Sequence, residues 1–343
     1  MVRIKIYYNA KFLLRIVLVT EYCILIGSIF ALFLGAERLV AGSCQIAFRF
    51  NIPSAIVGLT IVAFGTSTPE ICAAISAQFS DAIEGGNIAI GNVLGSNICN
   101  IGLILGVNTI IVGVPVARAF ITREMPIMLG VCLVLLVFIY DDVLTLIEGL
   151  ILLACFLFYT YMLIQVARKH RNEVAIEEID VDKNTPVYQS ILFIVAGSLL
   201  LAVGGYFIVS SSKAVCESLG LDKKVVGLLF VAFGTSCPEL AASIVASLKK
   251  ESDILVGNIV GSNILNILVV CGVTPMLKPI SITNHSLITF DFVVMFVFAF
   301  LLLMFSIHKS YIGRWKGMIL LILCMTYYIN ISFPNAFSFL KEL

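Results

Sequence analysis

The sequence predicts an all-α polytopic membrane protein in which ten transmembrane helices form two inverted five-helix repeats. Three observations support this prediction: the composition, the spacing of the apolar runs and an internal duplication. Of the 343 residues, 60% are hydrophobic and 13% are charged, and the mean hydropathy is +1.07. Soluble domains contain about half apolar residues. The composition therefore excludes a soluble enzyme, a disordered chain and a nucleic-acid binder, and it makes the lipid bilayer the expected environment.

The apolar runs are long enough to cross a bilayer core about 30 Å thick, which takes about 20 residues of helix. Short polar breaks separate these runs from one another. We place the spans at residues 22–49, 52–79, 84–112, 120–140, 143–167, 187–212, 222–248, 252–274, 284–307 and 312–333.

Residues 1–21 precede the first span and contain four basic side chains. A charged start followed by an apolar run is typical of a signal peptide. Here the apolar run continues to Glu37 and Arg38 without a clear small-residue cleavage site. We therefore interpret the segment as an uncleaved leader or an interfacial helix.

The longest hydrophilic stretch, residues 168–186, divides the chain, and nine of its nineteen residues are charged. It lacks the spacing of an EF-hand calcium loop, so we interpret it as a solvated linker. It separates a first five-helix repeat, residues 22–167, from a second, residues 187–343. Lys and Arg are more numerous on the face that includes this linker. The positive-inside rule then places the linker in the cytoplasm and both termini outside, in a plasma-membrane protein.

The two halves repeat one another in two matched segments. Residues 57–77, VGLTIVAFGTSTPEICAAISA, align without gaps to residues 226–246, VGLLFVAFGTSCPELAASIVA, with 14 of 21 positions identical. Residues 88–107 align likewise to residues 254–273, with 11 of 20 identical. Because five spans separate matched residues, the second copy enters the membrane from the opposite side. Inverted repeats of this kind place a substrate site near the bilayer midplane, between the repeats.

Two acids occupy matched positions in the middle of predicted spans, Glu70 and Glu239. A charged side chain at this depth costs at least about 2.5 kcal/mol on insertion scales, so it indicates a functional site. The matched segments contain no basic residue, and a bound cation is therefore the expected partner. Pro69 and Pro238 precede the acids and lack an N–H, so we expect each helix to break there and turn carbonyls toward a cavity.

Hydroxyl groups stand beside both predicted breaks. With the carbonyls and carboxylates they form an oxygen-only ligand set, which suits hard cations such as calcium, a metal that takes six to eight oxygens. Cys237 is the one soft ligand nearby, and we interpret it as a packing residue. Capping of freed backbone in a kinked helix is the alternative role of the hydroxyls. The hydroxyl candidates are Thr66, Ser67, Thr235 and Ser236.

Each segment of the second matched pair, residues 88–107 and 254–273, contains a polar stripe. Its residues are spaced i, i+4, i+8, which places them on one helix face. Asn100 and Asn266, at the end of each stripe, are candidates to complete an ion shell, although interhelical hydrogen bonding also explains such residues. Asn97 and Asn263 are predicted to hold the broken helices. The two stripes are Asn92, Ser96 and Asn100, and Asn258, Ser262 and Asn266.

The motifs GTSTPE and GTSCPE, each followed by GNxxGSNxxN, resemble the alpha-repeats of the cation/calcium antiporters, specifically the sodium/calcium exchanger branch of bacteria and archaea. The resemblance covers nearly the whole chain. It implies an exchanger without a cofactor, in which spans one and six slide against a core of spans two, three, seven and eight. Sodium moving inward would drive calcium outward. By motif position, the implied ion ligands are the carbonyls of Ala63 and Ala232 and the side chains of Thr66, Ser67, Glu70, Ser96, Asn100, Thr235, Ser236, Glu239, Ser262 and Asn266.

The sequence departs from the family pattern at Asn266, where sodium/calcium exchangers commonly have aspartate. Two ionised glutamates give the site a charge of −2, which one calcium ion, two sodium ions or two protons would neutralise. Proton-dependent or potassium-dependent exchange therefore stays open as an alternative, and a cation channel is a less favoured one because an inverted repeat argues against a continuous pore. The chain contains no HExxH or GxSxG motif, so no enzyme activity is expected. The oligomeric state stays open, and a monomer is compatible with the sequence.

Overall fold

The computed structural model describes residues 2–80, 85–170, 186–218 and 234–332. Within these ranges the chain forms ten helices. They are α1 (Val2–Phe50), α2 (Ser54–Val57, Gly58–Val62 and Ala63–Ser80), α3 (Gly85–Cys99, Asn100–Leu105 and Gly106–Ile111), α4 (Phe120–Glu124 and Met125–Phe138), α5 (Leu146–His170), α6 (Val187–Ser218), α7 (Cys237–Leu248), α8 (Ser252–Leu265, Asn266–Val270 and Cys271–Leu277), α9 (Leu287–Asp291 and Phe292–Ile307) and α10 (Arg314–Ser332). The π-helical segments among them are Gly58–Val62, Asn100–Leu105, Phe120–Glu124, Asn266–Val270 and Leu287–Asp291.

Eight of the described helices are long and apolar enough to cross a membrane, namely all except α7 and α10. The protein is therefore an integral, multi-pass membrane protein. The described part of α7 has 12 residues, and the portion of the predicted span 222–248 that precedes residue 234 lies outside the described residues. Most of the predicted linker, residues 171–185, also lies outside them.

Helix α1 is a single helix of 49 residues that includes most of the predicted N-terminal segment. At about 1.5 Å per residue it is roughly 73 Å long, more than twice the thickness of a hydrocarbon core. Residues 2–21 thus continue directly into the first span. Their assignment as a leader or interfacial segment stays a prediction.

The predicted helix break at Pro69 is wrong. Helix α2 continues through this proline, and its irregular part is the π-helical segment about two to three turns earlier, at Gly58–Val62. Pro69 offers no N–H to the carbonyl of Gly65, but membrane helices tolerate this loss where neighbouring helices enclose the turn. A Cβ atom at Gly65 would lie 2.5 Å from Ser198 Oγ on α6, which shows how closely the next helix packs there.

The second repeat does show an interruption, slightly before the predicted position. Helix α7 begins at Cys237, after Ser236 leaves the helical conformation with φ −85° and ψ 4°. Pro238 therefore lies in the first turn, where a missing N–H leaves no hydrogen bond unmade. Glu239 follows in the same turn, at the positive end of the helix dipole.

Two short antiparallel strand pairs connect the two repeats. Strand β1 (Val114–Pro115), between α3 and α4, pairs with β4 (Tyr311–Ile312), between α9 and α10. Strand β2 (Val143–Leu144), between α4 and α5, pairs with β3 (Ile280–Ser281), between α8 and α9. Each pair fixes two connections from different repeats at one face of the helix bundle.

Helices α3 and α8 form the centre of the bundle. The apolar stretch of α8 is buried along its whole length and that of α3 nearly so. Glycines permit this burial: a Cβ atom at Gly257 would lie 2.8 Å from the carbonyl oxygen of Ala55, and one at Gly261 would lie 2.7 Å from that of Leu59. The backbone of α8 therefore lies directly against the start of α2, as small-xxx-small packing predicts.

Helices α1 and α6 form a second, peripheral unit. They run antiparallel and meet through small residues spaced seven apart on each helix, so that the two backbones touch. Small residues allow membrane helices to pack this closely. The contacts join Gly204 to Ser28, Gly35 to Gly197 and Gly42 to Ser190.

Candidate functional site

The structure brings the predicted site residues together between α2, α3, the start of α7, and α8. All of them that the structure describes are buried except Thr235, which is partly buried. Ala232 lies outside the described residues. The buried members are Ala63, Thr66, Ser67, Glu70, Ser96, Asn100, Ser236, Glu239, Ser262 and Asn266.

The two glutamates lie in the centre of this cluster, close enough for their charges to interact. Neither carboxylate oxygen of Glu70 has a hydrogen-bond partner among the described residues. Oε2 of Glu239 also lacks a partner among them. Oε1 of Glu239 accepts a hydrogen bond of 2.9 Å from Ser67 Oγ. Ser67 lies one turn before Glu70 on α2, so it connects the two acids across the repeats.

The hydroxyls beside each acid bond to the opposite repeat. Thr66 Oγ1 lies 3.1 Å from Asn258 Oδ1 on α8, and Thr235 Oγ1 donates over 3.3 Å to Asn92 Oδ1 on α3. Thr66 and Thr235 are matched residues in the two repeats, as are Asn92 and Asn258. The two contacts are therefore equivalent, and each repeat completes the other's half of the site. Asn258 Nδ2 donates to Ser243 Oγ at 3.2 Å, which directs its Oδ1 toward Thr66.

Two serine contacts extend this pattern. Ser67 Oγ lies 2.9 Å from Ser262 Oγ, and Ser96 Oγ lies 3.5 Å from Thr235 Oγ1. Ser96 and Ser236 also lie beside the Glu70 carboxylate without meeting hydrogen-bond geometry. The hydroxyls thus surround both acids and leave most of the carboxylate oxygens unengaged.

The two candidate amide ligands present bare oxygen atoms. Oδ1 of Asn100 and Oδ1 of Asn266 are buried and have no hydrogen-bond partner among the described residues. Their Nδ2 atoms donate to Asn263 Oδ1 and Asn97 Oδ1, both at 3.0 Å. A π-helical segment starts at each of these residues, and such segments are frequent at functional sites.

The backbone near the acids is partly engaged. The carbonyl oxygen of Ala63 lies 3.2 Å from Thr66 Oγ1, and that of Glu70 accepts a hydrogen bond of 3.3 Å from Asn92 Nδ2. A hydroxyl has one proton, so Thr66 donates either to Ala63 or to Asn258 at one time. At any time, therefore, either the Ala63 carbonyl oxygen or Asn258 Oδ1 receives no hydrogen bond from Thr66.

Among the described residues, the buried charged side chains are four acids, and no Lys or Arg is buried with them. Two of these acids, Glu124 and Asp291, were not identified from the sequence. Glu124 forms an ion pair with Arg123 and accepts a hydrogen bond of 2.7 Å from Tyr159. Asp291 accepts one of 2.9 Å from Tyr327.

Glu124 and Asp291 are also matched between the repeats. Each ends the π-helical segment that opens the fourth helix of its repeat, with the sequences FITRE at 120–124 and LITFD at 287–291. This short similarity is the signal that could have revealed them. Both accept a hydrogen bond from a tyrosine, whereas the Glu70 carboxylate accepts none from the described residues.

The described residues contain no group of three or more His, Cys, Asp and Glu side chains that could hold a metal. The central cluster instead offers two carboxylates with neutral hydroxyl and amide oxygens. Permanently bound metals are usually held by more charged ligands or by thiolate and imidazole. An oxygen-only cluster of this kind suits a hard cation.

A separate cavity of about 570 Å³ lies on the other face of α2, between α5 and α6. Its walls are almost entirely apolar and include Phe64 and Thr68 but none of the predicted ligands. This cavity is therefore separate from the polar cluster.

Comparison with known proteins agrees with these features. The profile of the family "Sodium/calcium exchanger protein" matches residues 20–165 and 189–333. The chain is 33% identical over 316 residues to a putative antiporter, CaxA, of Alkalimonas amylolytica, which covers 90% of this chain and 98% of that protein. It is 28% identical to the sodium/calcium exchanger MaX1 of Methanosarcina acetivorans, over 89% of this chain and 96% of that one.

The fold is similar to that of a solved sodium-calcium exchanger, NCX_Mj. The two structures superpose with a TM-score of 0.76 at 30% sequence identity, over 92% of this chain and 99% of the other.

Proposed function

This chain belongs to the sodium/calcium exchanger family, and we propose that it is a secondary antiporter that exchanges sodium for calcium by alternating access, normally extruding calcium. Members of the family are transporters of sodium and calcium ions and need no cofactor. The coupling to sodium and the direction are part of the proposal, as are a plasma-membrane location and a cytoplasmic linker.

One observation carries the proposal: within the central cluster, five buried oxygen atoms of candidate ligands lack a hydrogen-bond partner among the described residues. They are Glu70 Oε1, Glu70 Oε2, Glu239 Oε2, Asn100 Oδ1 and Asn266 Oδ1. Buried polar atoms are nearly always partnered in stable proteins, and leaving charged ones bare costs several kcal/mol at membrane depth. Cations bound in the cluster would supply partners for these oxygens, and their charge would balance the acids.

The proposed ion ligands extend beyond these five oxygens. The hydroxyl oxygens of Thr66, Ser67, Ser96, Thr235, Ser236 and Ser262 and the carbonyls of Ala63 and Ala232 complete the proposed set. A calcium ion takes six to eight oxygens, and sodium ions of lower charge would divide the same atoms among several positions. Competition for the two carboxylates then couples the two fluxes.

We propose ten transmembrane helices in two inverted repeats. The strand pairs support this topology because paired strands must lie at one membrane face. Six helices, α4 to α9, separate β1 from β4, and four, α5 to α8, separate β2 from β3. Both numbers are even, as they must be if each helix crosses the membrane once, α7 included. The equivalent Thr66 and Thr235 contacts support the inversion.

The charge of the site explains why transport would be exchange rather than leak. Without an ion, two uncompensated carboxylates would have to pass through a closed, dry state, which carries a large desolvation penalty. The α1–α6 unit contacts the core without contributing ligands, so it is the part that could slide to open the site to either face. Only a neutralised site would permit that movement.

Proton-coupled or potassium-dependent exchange is the second candidate. It is favoured by the two carboxylates, because two protons balance them as well as one calcium ion does, and by Asn266, which adds no third charge. A channel is less well supported, since the ligands are enclosed by packed helices on all described sides.

Calcium-45 uptake into proteoliposomes under separate sodium, potassium and proton gradients tests the proposal. An outward-directed sodium gradient should drive calcium accumulation, and potassium or proton gradients alone should not. Uptake driven only by a proton gradient or only with potassium present would replace sodium coupling by the second candidate. Calcium flux that is independent of every counter-ion would instead indicate a channel.

A further inference from the structure

Two asparagines outside the proposed ligand set connect to the two amide ligands. Asn97 and Asn263 each lie one helical turn before a ligand, Asn100 on α3 and Asn266 on α8. The four side chains form one closed network across the α3–α8 contact. Its bonds run from Asn97 Nδ2 to Asn263 O (3.3 Å), from Asn263 Nδ2 to Asn97 O (3.4 Å), from Asn100 Nδ2 to Asn263 Oδ1 (3.0 Å) and from Asn266 Nδ2 to Asn97 Oδ1 (3.0 Å).

The main-chain carbonyls determine the direction of every bond in this network. A carbonyl oxygen only accepts, so the Asn97 side chain must present its Nδ2 to Asn263 O and its Oδ1 to the other side. Asn266 must then donate to that Oδ1 with its Nδ2, which leaves the Asn266 Oδ1 directed elsewhere. The same reasoning, with the repeats exchanged, orients Asn100.

This network leaves two amide oxygens without a hydrogen bond, and these are the oxygens that would bind a cation. Oδ1 of Asn100 and Oδ1 of Asn266 are buried without a partner among the described residues. An amide rotated by 180° has nearly the same shape but would present an NH₂ group, which repels a cation. The backbone carbonyls thus control, through one intermediate amide each, which atom faces the site.

We propose that Asn97 and Asn263 are positioning residues that hold the Oδ1 atoms of Asn266 and Asn100 toward the transported cation. This inference rests on the proposed function, because it assumes that the central oxygens bind a cation. Neither positioning residue touches the ion. Each acts through the ligand amide of the opposite repeat, so the two half-sites are oriented reciprocally.

The first test is the Asn97→Leu variant, which removes the acceptor for Asn266 Nδ2. Calcium affinity should fall by about 10-fold to 100-fold, the usual loss when a residue that orients a metal ligand is removed. The maximal rate of transport should change far less than the KM. Asn97→Ser, which keeps a polar side chain but is too short to span the contact, should behave in the same way and serves if the leucine variant does not insert.

A matched control is Asn108→Leu. Asn108 is also a buried asparagine of α3, and its Nδ2 donates to the Ile104 carbonyl at 2.8 Å within the same helix. It contacts none of the four network residues through a described hydrogen bond. This variant should keep the wild-type calcium affinity, which separates orientation of the ligands from the general loss of a buried amide.

The effect of Asn97→Leu in a second variant, Asn266→Asp, distinguishes a positioning role of Asn97 from a role in helix packing. In Asn266→Asp the introduced carboxylate has two acceptor oxygens, so it needs no orientation, and one oxygen is repelled by Asn97 Oδ1. Adding Asn97→Leu to this background should therefore leave calcium affinity unchanged or increase it, although the same change weakens binding in the wild-type protein. A role limited to helix packing would weaken binding equally in both backgrounds.

Affinity is measured by equilibrium calcium-45 binding to the purified full-length protein in detergent, with KM and maximal rate from proteoliposomes. Wild-type affinity in both Asn97→Leu and Asn97→Ser overturns the inference, as does equal weakening in the two backgrounds. A wild-type protein that binds calcium but does not transport it refutes the proposed function alone. The binding curves of the variants then still decide whether Asn97 and Asn263 orient the ligands.

Discussion

The protein contains two pairs of buried acids, and each pair occupies matched positions in the two repeats. The central pair, Glu70 and Glu239, has three carboxylate oxygens without a hydrogen-bond partner among the described residues. In the peripheral pair, Glu124 contacts Arg123 and Tyr159, and Asp291 contacts Tyr327. All four acids are buried in a membrane protein, yet only the central two have buried carboxylate oxygens without a hydrogen-bond partner among the described residues.

Burial and duplication alone therefore do not identify an ion site. A buried acid can serve structure when a hydroxyl or a guanidinium satisfies it, as the peripheral pair shows. The useful criterion is the number of oxygens left bare. By that criterion the central pair is the candidate ion site, whereas the peripheral pair joins the fourth helix of each repeat to the fifth.

Replacing a central acid should have the largest effect. Glu70→Gln or Glu239→Gln keeps the shape of the side chain but leaves the site with a charge of −1, which cannot balance calcium. We expect calcium flux to fall by at least about 100-fold, more than the loss of a residue that merely supports a metal ligand. The measurement is sodium-driven calcium-45 uptake, normalised to inserted protein.

The matched control for this prediction is Glu124→Gln, which neutralises an equally buried acid of the peripheral pair. It should keep calcium flux per folded molecule at the wild-type level. If Glu124→Gln abolished flux as well, or if Glu70→Gln retained it, the distinction between bare and partnered acids would lose its functional meaning.

Much of the central site could be predicted from the sequence, because duplication marks it twice. Glu70 and Glu239 stand in nearly identical motifs, and their position in apolar spans requires a functional explanation. The spacing of the asparagine stripes gave the face that meets the opposite repeat. These inferences depend only on local periodicity and on the cost of burying charge.

Other features depend on tertiary contacts and could not be predicted. Whether α2 breaks at Pro69 depends on how closely α6 packs at Gly65, which no local pattern shows. The role of Glu124 depends on Tyr159, 35 residues away in the sequence. A sequence reveals an acid in a membrane span but not the partner that satisfies it.

Removing the hydrogen bond that Ser67 donates to Glu239 should have the next largest effect. In Ser67→Ala, Glu239 loses the 2.9 Å bond to Oε1, and the site loses one hydroxyl oxygen. We expect the KM for calcium to rise by about tenfold, in the range for loss of one contact to a charged group. Transport assays over a calcium series give this value.

The comparison variant for Ser67→Ala is Thr68→Ala. Thr68 is the next residue along α2, but its hydroxyl faces away from the site and donates to the Phe64 carbonyl. A KM for Thr68→Ala close to the wild-type value is expected. Equal increases in both variants would show that the helix, rather than the Ser67 contact, determines affinity.

In the peripheral pair, loss of a partner should reduce stability and not transport. Tyr327→Phe removes the hydrogen bond to Asp291, which has no other described hydrogen-bond partner. We expect a loss of about 1–2 kcal/mol, toward the upper end for interhelical hydrogen bonds in membranes because an acid is left behind. Unfolding in mixtures of SDS and mild detergent measures this loss, and a large change in the KM for calcium would contradict the structural role.

Tyr159→Phe should give the smallest effect, because Glu124 keeps its ion pair with Arg123 after the hydroxyl is lost. We expect about 0.6 kcal/mol, the average for an interhelical hydrogen bond in a membrane protein. The same unfolding experiment compares Tyr159→Phe directly with Tyr327→Phe.

The Arg123→Leu variant tests the reason for this small effect. Adding Tyr159→Phe to the Arg123→Leu background leaves Glu124 without either partner. In that background, Tyr159→Phe should therefore cost as much stability as Tyr327→Phe does in the wild-type protein. If the cost stayed at its smaller value, Arg123 would not be the reason for the difference between the two peripheral acids.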